Sequence, residues 1–230
     1  MLTEYELQAL LLSLKIAGIA VLFSLPFGIL CAWVLARCQF IGKSMLDGLI
    51  HLPLVLPPVV IGYVLLLTMG RQGVLGKWLY EWFGLTFSFS WRGAALAVAV
   101  VSFPLMVRSI RLGLESVDIK LEQAARTLGA SPLKVFFTIT LPLALPGILT
   151  GTILAFARAL GEFGATITFV SNIPGETQTI PLAMYSFIET PGAENEAARL
   201  CIIAIVIALA SLVVSEWLSR IARKRLEAAC

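Results

Sequence analysis

Charge is scarce in this 230-residue sequence. Asp, Glu, Lys and Arg together make up 13% of it, about half the share of an average soluble domain. Apolar residues make up 59%, which leaves too little polar surface to wet a soluble fold of this length. There is one histidine, His51, at the edge of an apolar stretch; it reads as interfacial packing, not a proton relay. No clustered acid/base groups and no metal-ligand spacing are present, so no catalytic residue, metal or bound cofactor is expected of this chain. The four cysteines, Cys31, Cys38, Cys201 and Cys230, include no CxxC pair. They read as small hydrophobes or free thiols, not a zinc or disulfide framework. No basic stripe with interleaved aromatics appears, which argues against nucleic acid as a partner. Glu4 and Glu6 stand where a signal peptide would carry basic residues, so the first apolar stretch is expected to stay in the protein.

Long uncharged runs are present instead. A spanning helix needs about 20 mostly apolar residues. Uncharged gaps of 21, 23 and 23 residues separate Lys15 from Arg37, Asp47 from Arg71, and Lys134 from Arg158. Shorter gaps of 15 and 16 lie between Arg92 and Arg108 and between Arg199 and Glu216; they can span because flanking Arg and Trp side chains snorkel or anchor at the interface. Together these predict an all-α polytopic membrane protein of about five helices, near 9–36, 49–69, 92–112, 141–161 and 199–219. The whole of 1–230 reads as one transmembrane domain, with no soluble domain, linker or internal repeat. Pro57-Pro58 removes two backbone donors in the second helix and predicts a kink there, or is an ordinary transmembrane proline pair. The uncharged run Phe163 to Gly175 is too short to cross. With Thr177 to Ile188 it reads as re-entrant or interfacial structure, buried in protein or lining a wet cavity. Placing the N-terminus outside and the C-terminus inside puts 11 of the 17 basic residues on the inner side, as the positive-inside rule requires.

The most informative loop lies between the third and fourth helices, at about 113–140. Asp118 can cap a short helix beginning at Ile119. Leu121, Ala124, Ala125 and Leu128 then fall on one face, while Glu122 and Arg126 form an i,i+4 pair on another. Gly129 is a natural stop, and Ser131-Pro132 opens a second helix that runs back to the membrane and halts at Pro142. An amphipathic helix lying on the lipid surface fits this pattern. So does docking into a protein groove, which suits the narrow, alanine-rich face better. Gly42-Lys43-Ser44 imitates the end of a P-loop, but Arg37 occupies the first glycine position and no strand precedes it; the tripeptide is rejected as a nucleotide site.

The run Gln123-Ala124-Ala125, then Gly129, then Ile139-Thr140-Leu141-Pro142 resembles the EAA signature of ABC-importer permeases at every spacing. Gln123 replaces the usual glutamate, with Glu122 just before it. The resemblance implies a type I ABC-importer permease fold in which this loop is a coupling helix docking on a separate ATPase. Leu128, Gly129 and Ala130 would then form the knob, and Glu122, Gln123 and Arg126 the polar contacts. ATP-Mg would bind only in that partner. The runs from Ala157 to Ile167, from Pro174 to Pro181, and His51 to Val60 look like the molybdate permeases over nearly the whole chain, with sulfate/thiosulfate permeases sharing the Gly-Glu-Phe-Gly part. This implies a homodimer with two ATPase copies and a periplasmic molybdate-binding protein, in the inner membrane, importing molybdate or its mimic tungstate by alternating access.

Arg158 and Glu162, four apart at the end of a membrane helix, are expected to line the path, with Phe163, Gly164 and Thr166 beside them. A structural ion pair seating the helix is the alternative. Driving such a dianion inward against an inside-negative potential costs about 4.6 kcal/mol per 100 mV, which a passive pore cannot supply. A secondary transporter or channel predicts inverted repeats or mid-membrane acidic relays, and neither is evident.

Overall fold

The structure, a computed structural model, describes residues 3–227, with side chains to Ile221. Cys230 and the side chains of Arg223, Lys224 and Arg225 lie outside the described residues. The described chain is all helical. Helices α1 (Glu4–Arg37), α5 (Trp91–Glu115) and α12 (Glu194–Glu227) contain apolar stretches long enough to cross a membrane. Two bent pairs, α2 (Lys43–Val55) with α3 (Pro58–Met69) and the segment Pro132–Leu143 with α9 (Leu145–Leu160), bring the number of spans to as many as five if each pair is one span.

Helix α1 begins in a reciprocal capping box. Thr3 Oγ1 accepts from the Glu6 amide at 3.3 Å, and Glu6 Oε2 accepts from the Thr3 amide at 2.7 Å; both orphan donors are satisfied. Beyond that turn α1 is apolar nearly all round, with Lys15 its one charge before Arg37, so a hydrophobic stripe does not mark its buried face. Small residues dominate that face: Ala9, Ser13, Ala17, Ala20, Ser24, Gly28 and Ala32 turn inward, with Ile16, Val21 and Leu35 among them. With apolar lipid as the competitor, close backbone approach and dispersion hold such helices together. Ser13, Ser24 and Ser102 return their hydroxyls to the carbonyls four residues back at 2.7–2.8 Å, so none of these three donors is left unpaired in the apolar core.

Helix α5 is the hub, with 61% of its most apolar window buried against 11% for α12. It packs on α1 and α9. At its crossing with α9, a Cβ on Gly113 would lie 2.8 Å from Gly147 Cα, and one on Gly151 3.0 Å from the Met106 carbonyl. Only glycine allows that approach. Helix α12 leans on α9 and exposes most of its apolar surface, including Ile202, Leu209 and Val213, as a lipid-facing span should.

Both bent pairs are broken more sharply than a kink. The α2–α3 pair turns by 113° at Leu56-Pro57, because Pro57 and Pro58 both lack the amide that would continue α2, and Pro58 opens α3. The other pair bends by 67° around Ala144. Its return path does not halt at Pro142. Helix α7 (Pro132–Val135) runs into a π-turn, Phe136–Thr140, and a one-turn α8 (Leu141–Leu143). In the π-turn the Leu141 amide reaches back five residues to Phe136 O, a widening that accommodates the donor missing at Pro142.

The loop after α3 holds a helix not expected from the sequence, α4 (Val74–Phe83), ended by Gly84 at φ +64°. Trp78, Trp82 and Phe83 are exposed, an aromatic set suited to the headgroup layer. The run after α9 forms α10 (Gly164–Val170) and α11 (Ile180–Ile188). Helix α10 is inside the bundle, with Ala165, Phe169 and Val170 fully buried against α3 and α5. Gly62 of α3 admits it: a Cβ there would lie 2.6 Å from Ala165 O. Cys31 and Cys38 are half-buried and Cys201 exposed, all three free.

Candidate functional site

At the end of the bundle that carries Arg37, Arg108 and Arg111, the chain leaves the apolar body and returns through α6 (Ile119–Thr127). Asp118 caps it, Oδ1 accepting from the Lys120 amide at 2.9 Å, and the acid also complements the helix dipole. The exit is a full Schellman motif: Ala130 N–H to Ala125 O at 3.1 Å and Gly129 N–H to Arg126 O at 3.0 Å. Gly129 sits at φ +86°, and a Cβ placed on it would have nothing within 4 Å, so backbone conformation alone requires glycine there. Ser131 then caps α7, accepting from the Lys134 amide at 3.4 Å.

The result is a projecting helix–glycine–helix corner. Gln123, Ala124, Arg126, Leu128 and Gly129 are exposed and Ala125 and Ala130 half-exposed. Leu128 stands 88% exposed, an apolar knob with no partner within the described chain. Ile139 and Leu141 are half-buried in the π-turn and α8, while Pro142 is exposed.

Glu122 departs from its expected role. It is the one buried side chain of α6, so it does not face outward as a polar contact, and the expected pair with Arg126 does not form. Its Oε1 instead accepts from Arg37 Nη2 at 2.8 Å, Arg37 Nε at 3.1 Å and Thr140 Oγ1 at 3.0 Å. Arg37 Nη2 also donates to Val117 O at 3.1 Å. A carboxylate removed from water must be paired and hydrogen-bonded, and the guanidinium supplies both needs. The sequence points to neither Arg37 nor Thr140 as a partner, since 85 and 18 residues separate them from Glu122.

At the opposite end, Arg158 Nη1 pairs with Glu162 Oε2 at 2.8 Å. Glu162 is buried, and its Oε1 accepts from the Ala165 amide at 2.8 Å, capping α10. Phe163 packs on Tyr185 with ring centroids 5.2 Å apart. Gly164 lets α10 approach α3, where a Cβ would lie 3.0 Å from Pro58 Cβ. Thr166 is fully buried and turns its hydroxyl back to Phe163 O at 2.8 Å; it lines no open surface of this chain. Of the expected path residues, Arg158 alone offers a charged group to solvent, 36% exposed. The arrangement is that of a joint seating α10 on α9.

His51, near the basic end, sits against its own helix, with Nδ1 2.8 Å from Asp47 O. Asp47 also accepts from Arg111 at 3.2 Å, and Arg111 pairs with Glu115 at 2.7 Å. Among the described residues no group of three metal-ligating side chains comes together.

A membrane bundle with short broken spans and a projecting, glycine-stopped corner at one end has the fold of a type I ABC-importer permease subunit. The chain belongs to the binding-protein-dependent transport system inner membrane component family, which matches residues 24–228. It is 71% identical over 224 residues to the molybdenum transport system permease protein ModB of Escherichia coli K12, covering 97% of this chain and 98% of that one. The ModB of Haemophilus influenzae is 67% identical over 221 residues, covering 96% of each. An inward-facing MetNI methionine ABC transporter shares the fold, with a TM-score of 0.73 at 13% identity over 96% of this chain and 99% of that one.

Proposed function

We propose that this chain is the membrane-spanning permease of an ATP-driven molybdate importer, working as a homodimer with two ATPase subunits and a periplasmic molybdate-binding protein. The observation that carries the importer reading is the α6 corner. Its outward face, with Leu128 at the tip, is exposed and packs on no other part of the described residues, and one buried carboxylate ties it to the bundle. Molybdate rests on the likeness to ModB over nearly the full length. The N-terminus lies outside and α6 inside, where the ATPase binds ATP-Mg; this chain supplies no catalytic group. ATP binding draws the ATPases together, the α6 corners move with them, and the path changes the side it faces. The dianion cannot be left to run down the potential, because its import costs about 4.6 kcal/mol per 100 mV.

The test is ATP hydrolysis in proteoliposomes holding the chain, its ATPase and its binding protein. Molybdate-loaded binding protein is expected to stimulate hydrolysis, sulfate to compete weakly or not at all, and Gly129→Asp to abolish stimulation. Movement of molybdate with no ATPase present would overturn the reading in favour of a channel or secondary transporter.

A further inference from the structure

The triad at the root of α6 turns its charged groups toward one another and lies largely out of water, apart from the exposed corner. It joins three elements: Arg37 ends α1, Glu122 belongs to α6, and Thr140 closes the π-turn that leads into α9. The side chains of Arg37 and Glu122 are 14% and 6% exposed. We propose that Arg37 is a positioning residue for energy coupling: the Arg37–Glu122–Thr140 joint makes α6, the end of α1 and the π-turn move as one body, so that displacement of the projecting corner is delivered to both α1 and α9.

Two features carry this. First, the rest of α6 gives the bundle little to hold, for its other side chains are exposed or half-exposed; a push on the corner with no joint would swing α6 alone. Second, separating the pair would strand a buried carboxylate without its cation, which is far more costly than moving the two together. Helix α1 is also gripped at its far end. Glu6, fully buried, accepts from Arg199 Nε of α12 at 3.0 Å, and the Ile180 amide at the start of α11 donates to Ser13 Oγ at 2.7 Å. Motion entering at Arg37 therefore has a continuous helix, 34 residues long, through which to reach the opposite end.

The inference rests on the importer reading, and wild type in the same vesicles separates the two: if loaded binding protein fails to stimulate wild type, it is that reading which fails. Two variants test the joint. Arg37→Ala is expected to co-purify with the ATPase while the ratio of stimulated to basal hydrolysis falls at least five-fold. The pair Arg37→Cys/Glu122→Cys, in a background with Cys31, Cys38, Cys201 and Cys230 changed to serine, is expected to be uncoupled likewise. Bridging its two thiols with a short bis-methanethiosulfonate linker should restore stimulation, and dithiothreitol should remove it again. Full stimulation in Arg37→Ala would overturn the proposal. So would a bridged pair that stays uncoupled, which would mean that the contact must open in each cycle or merely supports folding. Should Arg37→Ala lose the ATPase altogether, the bridged pair alone decides.

Discussion

Gly129 and Arg158 show how differently single residues hold this protein. At Gly129 space is free and the backbone is not: φ is +86°, and a Cβ there would meet no heavy atom within 4 Å. A side chain there makes no clash but costs about 1–2 kcal/mol in the left-handed region. Gly129→Ala should leave the thermal unfolding midpoint of the purified chain nearly unchanged, because the strained corner can reshape in solvent. ATPase co-purification should drop several-fold, since Leu128 and Ala130 are no longer held at the same angle. Arg158 presents the opposite case. Removing it leaves Glu162, 2% exposed, as a buried charge with one remaining donor, the Ala165 amide. Breaking such a pair from one side costs about 3–5 kcal/mol. Arg158→Ala should therefore lower the unfolding midpoint by several degrees, and Arg158→Ala/Glu162→Gln should recover most of the loss, because the amide oxygen still caps α10 while the stranded charge is gone. A double variant no more stable than the single would show that the carboxylate is not the source of the loss.

At the scale of elements, the crossing of α5 and α9 is fixed by size. Gly147→Val would place a branched side chain where Gly113 Cα lies within 3 Å of even a Cβ. Helices held by close approach in lipid have no compensating hydrophobic gain on separation. Gly147→Val should cost about 2–3 kcal/mol by overpacking, read as a lower midpoint in detergent, whereas Gly18→Val, on α1 with open space around it, should cost far less. The spans themselves are legible in the sequence, because an uncharged run about 20 residues long has one main use. The α6 corner is equally legible, because Asp118, Gly129 and Ser131-Pro132 act locally. What is not legible is everything set by contacts between distant segments. Two prolines announce a break between α2 and α3 but not its 113°, which depends on α10 packing against Gly62 and Pro58. Thirteen uncharged residues after Glu162 exclude a crossing but cannot say that α10 enters the core. The i,i+4 spacing of Glu122 and Arg126 offers a local pair that loses to Arg37, because Glu122 is turned inward and Arg126 is not.

For the whole molecule, the two ends differ in charge, and that difference sets its direction in the membrane. The end holding α6 gathers Arg37, Lys43, Arg108, Arg111, Lys120, Arg126 and Lys134, all close to span ends, where basic residues resist translocation. At the other end the loop from Glu162 to Arg199 carries Glu176, Glu189, Glu194 and Glu196. The fold also sorts its ion pairs with a buried carboxylate by end, Arg37–Glu122 at one and Glu6–Arg199 and Arg158–Glu162 at the other. Two exposed positions read the direction. Ile41 lies in the turn after α1 and is fully exposed, and Glu176 is exposed in the loop before α11. With the native cysteines changed to serine, a membrane-impermeant maleimide should label Glu176→Cys in right-side-out vesicles and Ile41→Cys in inverted ones. Labelling of Ile41→Cys from outside would reverse the topology. It would also remove the importer reading at one stroke, since the projecting corner would then face a compartment without ATP.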